Sequence, residues 1–303
     1  MNKYWTDTFS YVTGVVRYKD LAYLSLIGDV ESKQKIRQSI LTEWDAGEWV
    51  GNEETDKTWD TVAATIAKKP LEQALFLGEN GEIFCIGSGD YHDEKVLRDK
   101  SESRGPFRGI RGIGNSIYVV GMNRQVYQRN SKGNWSCIDQ QIRPPSNYKE
   151  VVGLESIDGF NESDIYTVGW DGEIWQYDGC NWDQKDSPTN FLLVNVCCAG
   201  DGYVYACGLA GNLIRGKGDS WEVICHDLIT DDFWDLAWFK GELFLSTMDA
   251  IYILEKDDSL SVIEMGEDKP DTCFHLSTAD GVLWSIGAKD VMAYDGNNWM
   301  RID

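Results

Sequence analysis

SDIYTVGWDGEIWQYDGCNW, running from Ser163 to Trp182, carries the clearest local pattern in the chain. Ile165, Thr167 and Gly169 alternate with Tyr166 and Val168, a period of two that sends successive side chains to opposite faces of a strand. Trp170-Asp171-Gly172 breaks that strand with a tight turn, and EIWQY resumes the alternation. Asp178-Gly179 then marks a second turn, glycine accepting the positive φ that such turns need. The segment therefore reads as strand, turn, strand, turn, Trp.

The same unit recurs on either side. GYVYACGLAGNLIRGKGDSW (Gly202–Trp221), GVLWSIGAKDVMAYDGNNW (Gly281–Trp299) and NSIYVVGMNRQVYQRNSKGNW (ending at Trp135) repeat it closely. Weaker copies begin at Gly241, Gly81 and Asp20. The mid-unit positions Gly169, Gly208, Thr247 and Gly287 are 39, 39 and 40 residues apart, and Trp182, Trp221 and Trp299 are 39 and 78 apart. A period near 40 with several strands per unit fits a β-propeller blade and no helical or leucine-rich repeat.

An apolar stretch precedes each strand pair, as in GIRGIG near Ile110, LVNVCCAG from Leu193 and DLAWF from Asp235. These are expected to be the innermost strands, and the runs after each Trp (WSCID, WEVIC, WMRID) the outermost. The count gives an all-β, seven-bladed propeller of four-stranded blades occupying residues 1–303 as one domain. Six blades is the alternative, because the first two units are degraded. Residues 51–70, with ETDKTWDTVAATIAKK, are expected to be a loop with a short helix inserted between the first two blades. The strand near Tyr11–Val16 is expected to pair with the blade that ends at Asp303, covering an open edge. The recurring Trp is read as a packing wedge between neighbouring blades.

These units resemble the bacterial propellers related to the WD-repeat, YVTN and BNR-type families, in which blades of the form IYxVGxxGxIxxYDGxxW recur. Ile165–Trp182 is the best match, and the resemblance covers nearly all of the chain beyond about Gly81. The regular Gly-His and Trp-Asp dipeptides of the WD-repeat family proper are missing, and Trp170-Asp171 stands in a different turn. The resemblance implies a fold; such propellers serve as scaffolds, inhibitors, lectins and enzymes.

Composition narrows the function. The 303 residues hold 50 acids and 28 bases, a formal charge of −22. Such a field repels nucleic acid and anionic membrane and accelerates encounter with a basic partner. No apolar run reaches the ~20 residues of a membrane-spanning helix, and MNKYWTDTFSYVTG lacks the apolar core of a signal peptide, so the expected compartment is the cytoplasm. Eight cysteines and three histidines form no CxxC pair, which points to free thiols and against zinc.

Catalytic motifs are lacking: there is no GxSxG, HExxH, P-loop or GxGxxG. Cys225 and His226 are neighbours on an expected strand, so they face opposite ways and form no dyad. DGFNESD (Asp158–Asp164) gathers oxygen atoms but fails the EF-hand pattern and reads as a turn. No catalytic residue, metal or cofactor is assigned. Binding is assigned instead to the propeller end formed by the loops leading into the innermost strands and the turns between second and third strands. On it the sequence places Tyr148, Asp231, Asp232, Phe233, Trp234, Asp268 and Asp271 in the incoming loops, and Tyr91, His92, Trp170, Asp171 and Asp290 in the turns.

Aromatic anchors among carboxylates suit an interface for a basic protein. The expectation is a non-catalytic, monomeric binding protein that neutralises such a partner, most concretely an immunity protein against an antibacterial toxin, since toxins that attack nucleic acid carry basic surfaces. A multi-protein scaffold and a carbohydrate-binding or carbohydrate-cleaving propeller are the alternatives.

Overall fold

The computed structural model describes residues 5–51, 56–96, 104–145 and 147–303. Its strands fall into seven four-stranded antiparallel sheets, each built from consecutive strands: a seven-bladed β-propeller. The blades are β1 (Phe9–Tyr18), β2 (Leu21–Gly28), β3 (Ile40–Asp45) and β4 (Glu48–Gly51); then β5 (Thr61–Ala67), β6 (Gln73–Gly78), β7 (Glu82–Gly87) and β8 (Asp90–Lys95). The third comprises β9 (Phe107–Ile113), β10 (Ser116–Gly121), β11 (Gln125–Ser131) and β12 (Asn134–Cys137), and the fourth β13 (Leu154–Asn161), β14 (Asp164–Gly169), β15 (Ile174–Tyr177) and β16 (Trp182–Lys185). The fifth is β17 (Leu193–Cys198), β18 (Val204–Gly208), β19 (Leu213–Lys217) and β20 (Ser220–Val223). The sixth is β21 (Asp235–Phe239), β22 (Glu242–Ser246), β23 (Ile251–Leu254) and β24 (Leu260–Val262), and the seventh β25 (His275–Ala279), β26 (Val282–Ile286), β27 (Val291–Tyr294) and β28 (Trp299–Arg301).

By contact density the chain divides into two compact units, Val62–Phe233 and the combination of Met1–Thr61 with Trp234–Asp303. Within the first, β9 lies against β13 and β13 against β17; within the second, β25 lies against β1 and β21. First strands of adjacent blades thus touch one another, as expected of innermost strands.

The repeated Trp holds blade to blade. Trp135 Nε1 donates to Glu94 Oε2 of the preceding blade at 3.2 Å, Trp182 Nε1 to the Ile138 carbonyl at 2.9 Å, and Trp221 meets Tyr166 edge-on at 5.9 Å. Trp299 stacks on Tyr294 and joins the apolar cluster that contains Phe239 of the sixth blade. The repeated glycine has a different cause. Gly169 and Gly208 have extended φ values of −179° and −172°, which any residue adopts. A Cβ at either would instead overlap a carbonyl in the loop leading into its own blade, that of Gly153 or of Leu192.

Two expectations are corrected. The Ala-rich stretch within 51–70 is no helical insertion: Thr61–Ala67 is β5, the innermost strand of the second blade. Its β-branched Thr61, Val62, Thr65 and Ile66 suit a strand, and Thr65 Oγ1 accepts a bond from Gly112 N of the next blade at 2.9 Å, so packing outweighs the helical preference of alanine. Residues 52–55 lie outside the described residues. The short helix is elsewhere, α1 (Asp29–Gln34), between β2 and β3. Nor does the N-terminal strand complete the last sheet, because β28 supplies that blade's outermost strand and β1 belongs to its own blade. β1 is tied to the seventh blade from the side: Tyr11 N donates to the Ala288 carbonyl, Val16 N to Ser277 Oγ, and Lys289 Nζ to Asp29 and the Thr6 and Phe9 carbonyls.

Candidate partner-binding surface

In the unit Val62–Phe233, each turn between second and third strands locks onto the loop leading into the next blade. Asn123 N donates to the Val152 carbonyl, a Cβ on Gly172 would meet the Thr189 carbonyl, and one on Gly211 the Ile229 carbonyl. His226 Nε2 lies 2.8 Å from the Gly211 carbonyl, and Ala210 N donates to Asp232 Oδ1 at 2.8 Å. Turns and loops therefore form one continuous band at this end of the unit.

Trp170 and Asp171 sit where the sequence places them. Asp171 is exposed in the left-handed region, φ +55°. Trp170 is half-buried and its indole donates to Glu155 Oε1 at 2.7 Å. Beside it, Glu173 accepts two bonds from Arg124, at 2.6 and 2.7 Å, and a third from Trp175. Tyr148 lies in the incoming loop, exposed, its hydroxyl donating to Glu150 at 3.0 Å. That bond to a carboxylate pushes the phenol's pKa up. Asp231 is exposed.

Other expected contacts face inward. Phe233 is 0% exposed and packs on His226, so it offers no surface. Asp232 is half-buried over the Ala210 amide it caps. Tyr91 and His92 are not in a turn between second and third strands: they lie on β8, the outermost strand of the second blade. The sequence GEIFCIGSGDYH spans its third and fourth strands. In the other unit, Trp234 is half-buried and stacked on Phe274 at 5.0 Å. Asp290 is in the expected turn but buried; it accepts bonds from Asp271 N and from Thr272 N and Oγ1, and pairs with Arg301 at 2.8 Å. Asp268 is exposed and held by the same arginine, and Asp271 is exposed.

Among the described residues one group has the ligand types of a metal site, Cys85, His92 and Glu94, with their donor atoms within 4.8 Å of each other. Its carboxylate is already engaged. Arg129 grips both Glu94 oxygens at 3.0 and 2.5 Å, Trp135 adds a third bond and His92 Nε2 a fourth. A cation there would face the guanidinium, and burial pushes the Cys85 thiol far above its usual pKa, against the thiolate a metal needs. Asp158, at the start of the DGFNESD segment, is likewise engaged by Arg111 and Cys198 N.

No known family profile matches the sequence. The chain is 50% identical over 307 residues to the immune protein Tsi7 of Pseudomonas aeruginosa strain PAO1, with all of both chains covered. In structure it is similar to YCF48 bound to a D1 peptide (TM-score 0.68, 14% identity, covering 95% of this chain and 92% of that one). It is also similar to the WD40 propeller domain of Doa1 (0.66, 12%, covering 97% and 92%). A third likeness is to virginiamycin B lyase from Staphylococcus aureus (0.68, 12%, covering 95% and 94%). A peptide binder and a lyase on one scaffold agree with the fold and leave function to the surface.

Proposed function

The chain belongs to the family of the immune protein Tsi7, and from that membership we propose that it is an immunity protein that neutralises an antibacterial toxin by binding it. The observation that carries this reading is the end-to-end 50% identity to a protein named for immunity. The toxin is basic: a partner of opposite charge is drawn to a chain carrying −22 and held where its own substrate would bind. The protein acts without catalysis, as a monomer in the cytoplasm. Cys85, Cys137, Cys180, Cys198, Cys225 and Cys273 stand outside any disulfide, which suits a reducing compartment.

The test is growth of a bacterial host making a candidate toxin taken from the reading frames that flank this gene, with and without the protein, followed by calorimetry of the purified pair. Restored growth with a one-to-one complex is expected. Growth arrest unrelieved by the protein, with no heat of binding, overturns the reading.

A further inference from the structure

The band of turns and loops in the unit Val62–Phe233 carries apolar side chains at its surface. Tyr148 is 43% exposed, Val151 57%, Phe191 47% and Leu228 51%, and the half-buried Trp170 lies in the turn between the first two loops. They come from three successive incoming loops and the turn that joins two of them. The turn Trp170–Gly172 touches the first loop, through Trp170 N and the Gly153 carbonyl, and the second, through Gly172 against Thr189. Leu228 stands in the third loop, which is fastened to the Gly211 turn.

Exposed carboxylates punctuate the same segments: Glu150, Asp171, Asp227 and Asp231, against Lys149. The arginines nearby already hold carboxylates: Arg124 pairs with Glu173, Arg143 with Asp139 and Arg108 with Glu155. Large apolar groups in water with acids between them match the anatomy of a binding surface, in which a few apolar anchors supply affinity and the charges select the partner.

On the functional reading above, we infer that this arc, residues 148–153, 170–172, 187–192 and 226–231, is the toxin-docking surface, and that it takes a basic protein whose contact face has an apolar centre. The toxin's cations meet Glu150, Asp171, Asp227 and Asp231, and its apolar centre covers Val151, Phe191 and Leu228. Phe233, Asp232, Tyr91 and His92 take no part, being buried, capping a turn or lying on the outermost strand.

The experiment uses the full-length protein and the candidate toxin of the growth test. Val151→Arg and Phe191→Arg put bulk and the wrong charge into the arc; Leu71→Arg and Tyr203→Arg add the same charge at exposed positions in the loops between first and second strands of the same unit. Each arc variant is expected to weaken binding at least about a hundredfold, and Phe191→Ala about tenfold, while the two controls stay within about threefold of wild type. Deuterium exchange of the wild-type complex, which needs no variant to fold, is expected to slow in the four arc segments. Equal binding by all variants, or protection elsewhere, overturns the arc alone. A wild-type protein that binds no toxin overturns the immunity reading and the arc with it.

Discussion

Glu94 keeps its charge where water scarcely reaches: its side chain is 1% exposed and that of its partner Arg129 is 4%. Burial alone would push this carboxyl's pKa up, but the bonds from Arg129 and His92 outweigh it and hold the pKa below the usual carboxylate value. The pair spans two blades, so it is a fastener as well as an ion pair. Glu94→Ala leaves a guanidinium buried and uncompensated and is expected to cost about 3–5 kcal/mol in urea unfolding, whereas Glu94→Leu with Arg129→Met recovers most of it. The pH dependence follows from a folded-state pKa lying below the unfolded one. The stabilisation is complete above the ordinary carboxylate range and is lost as pH falls through the lowered value, so the wild type should lose stability on acidification and the Leu/Met variant should lose less. None of this was legible in the sequence, which shows Glu94 and Arg129 as two more charges. The same holds for Asp232, Phe233 and Asp290, whose partners Ala210, His226 and Arg301 are fixed by the fold and not by spacing.

At the scale of the element, the repeat was readable because one strand, one glycine and one Trp recur in register, and the structure supplies a contact for each. The glycine is there because a second strand must pass close to its own incoming loop. Gly208→Ala, which places a methyl against the Leu192 carbonyl, is expected to lower stability by about 1–3 kcal/mol in the same unfolding experiment. The second blade defeats the pattern for the opposite reason. GEIFCIGSGDYHDEK has the alternation of a second and third strand, yet it is β7 and β8, because alternation around a glycine turn says that two strands pair and not which hairpin of the blade they form. β5, hidden in TVAATIA, lacks the apolar run of the other first strands, so the pattern offers nothing to set the place of the hairpins after it.

Across the whole molecule, the charge is visible in the sequence and its distribution is not. Acids outnumber bases nearly two to one, so if the toxin is basic, as proposed, its encounter is steered: the association rate is expected to fall about tenfold or more between about 50 and 500 mM salt, with dissociation changing little, as stopped-flow mixing would measure. The division into units has a consequence in time. Val62–Phe233 is one uninterrupted stretch, whereas its companion unit needs both ends of the chain, with Lys289 reaching back to Phe9. During synthesis the stretch that bears the arc leaves the ribosome with all its own strands, while β1 waits for the last blade to emerge. A chain still being made thus presents its adhesive loops before its first strand has found its neighbour, and the interval between those events is when the protein most needs to be kept from the wrong company.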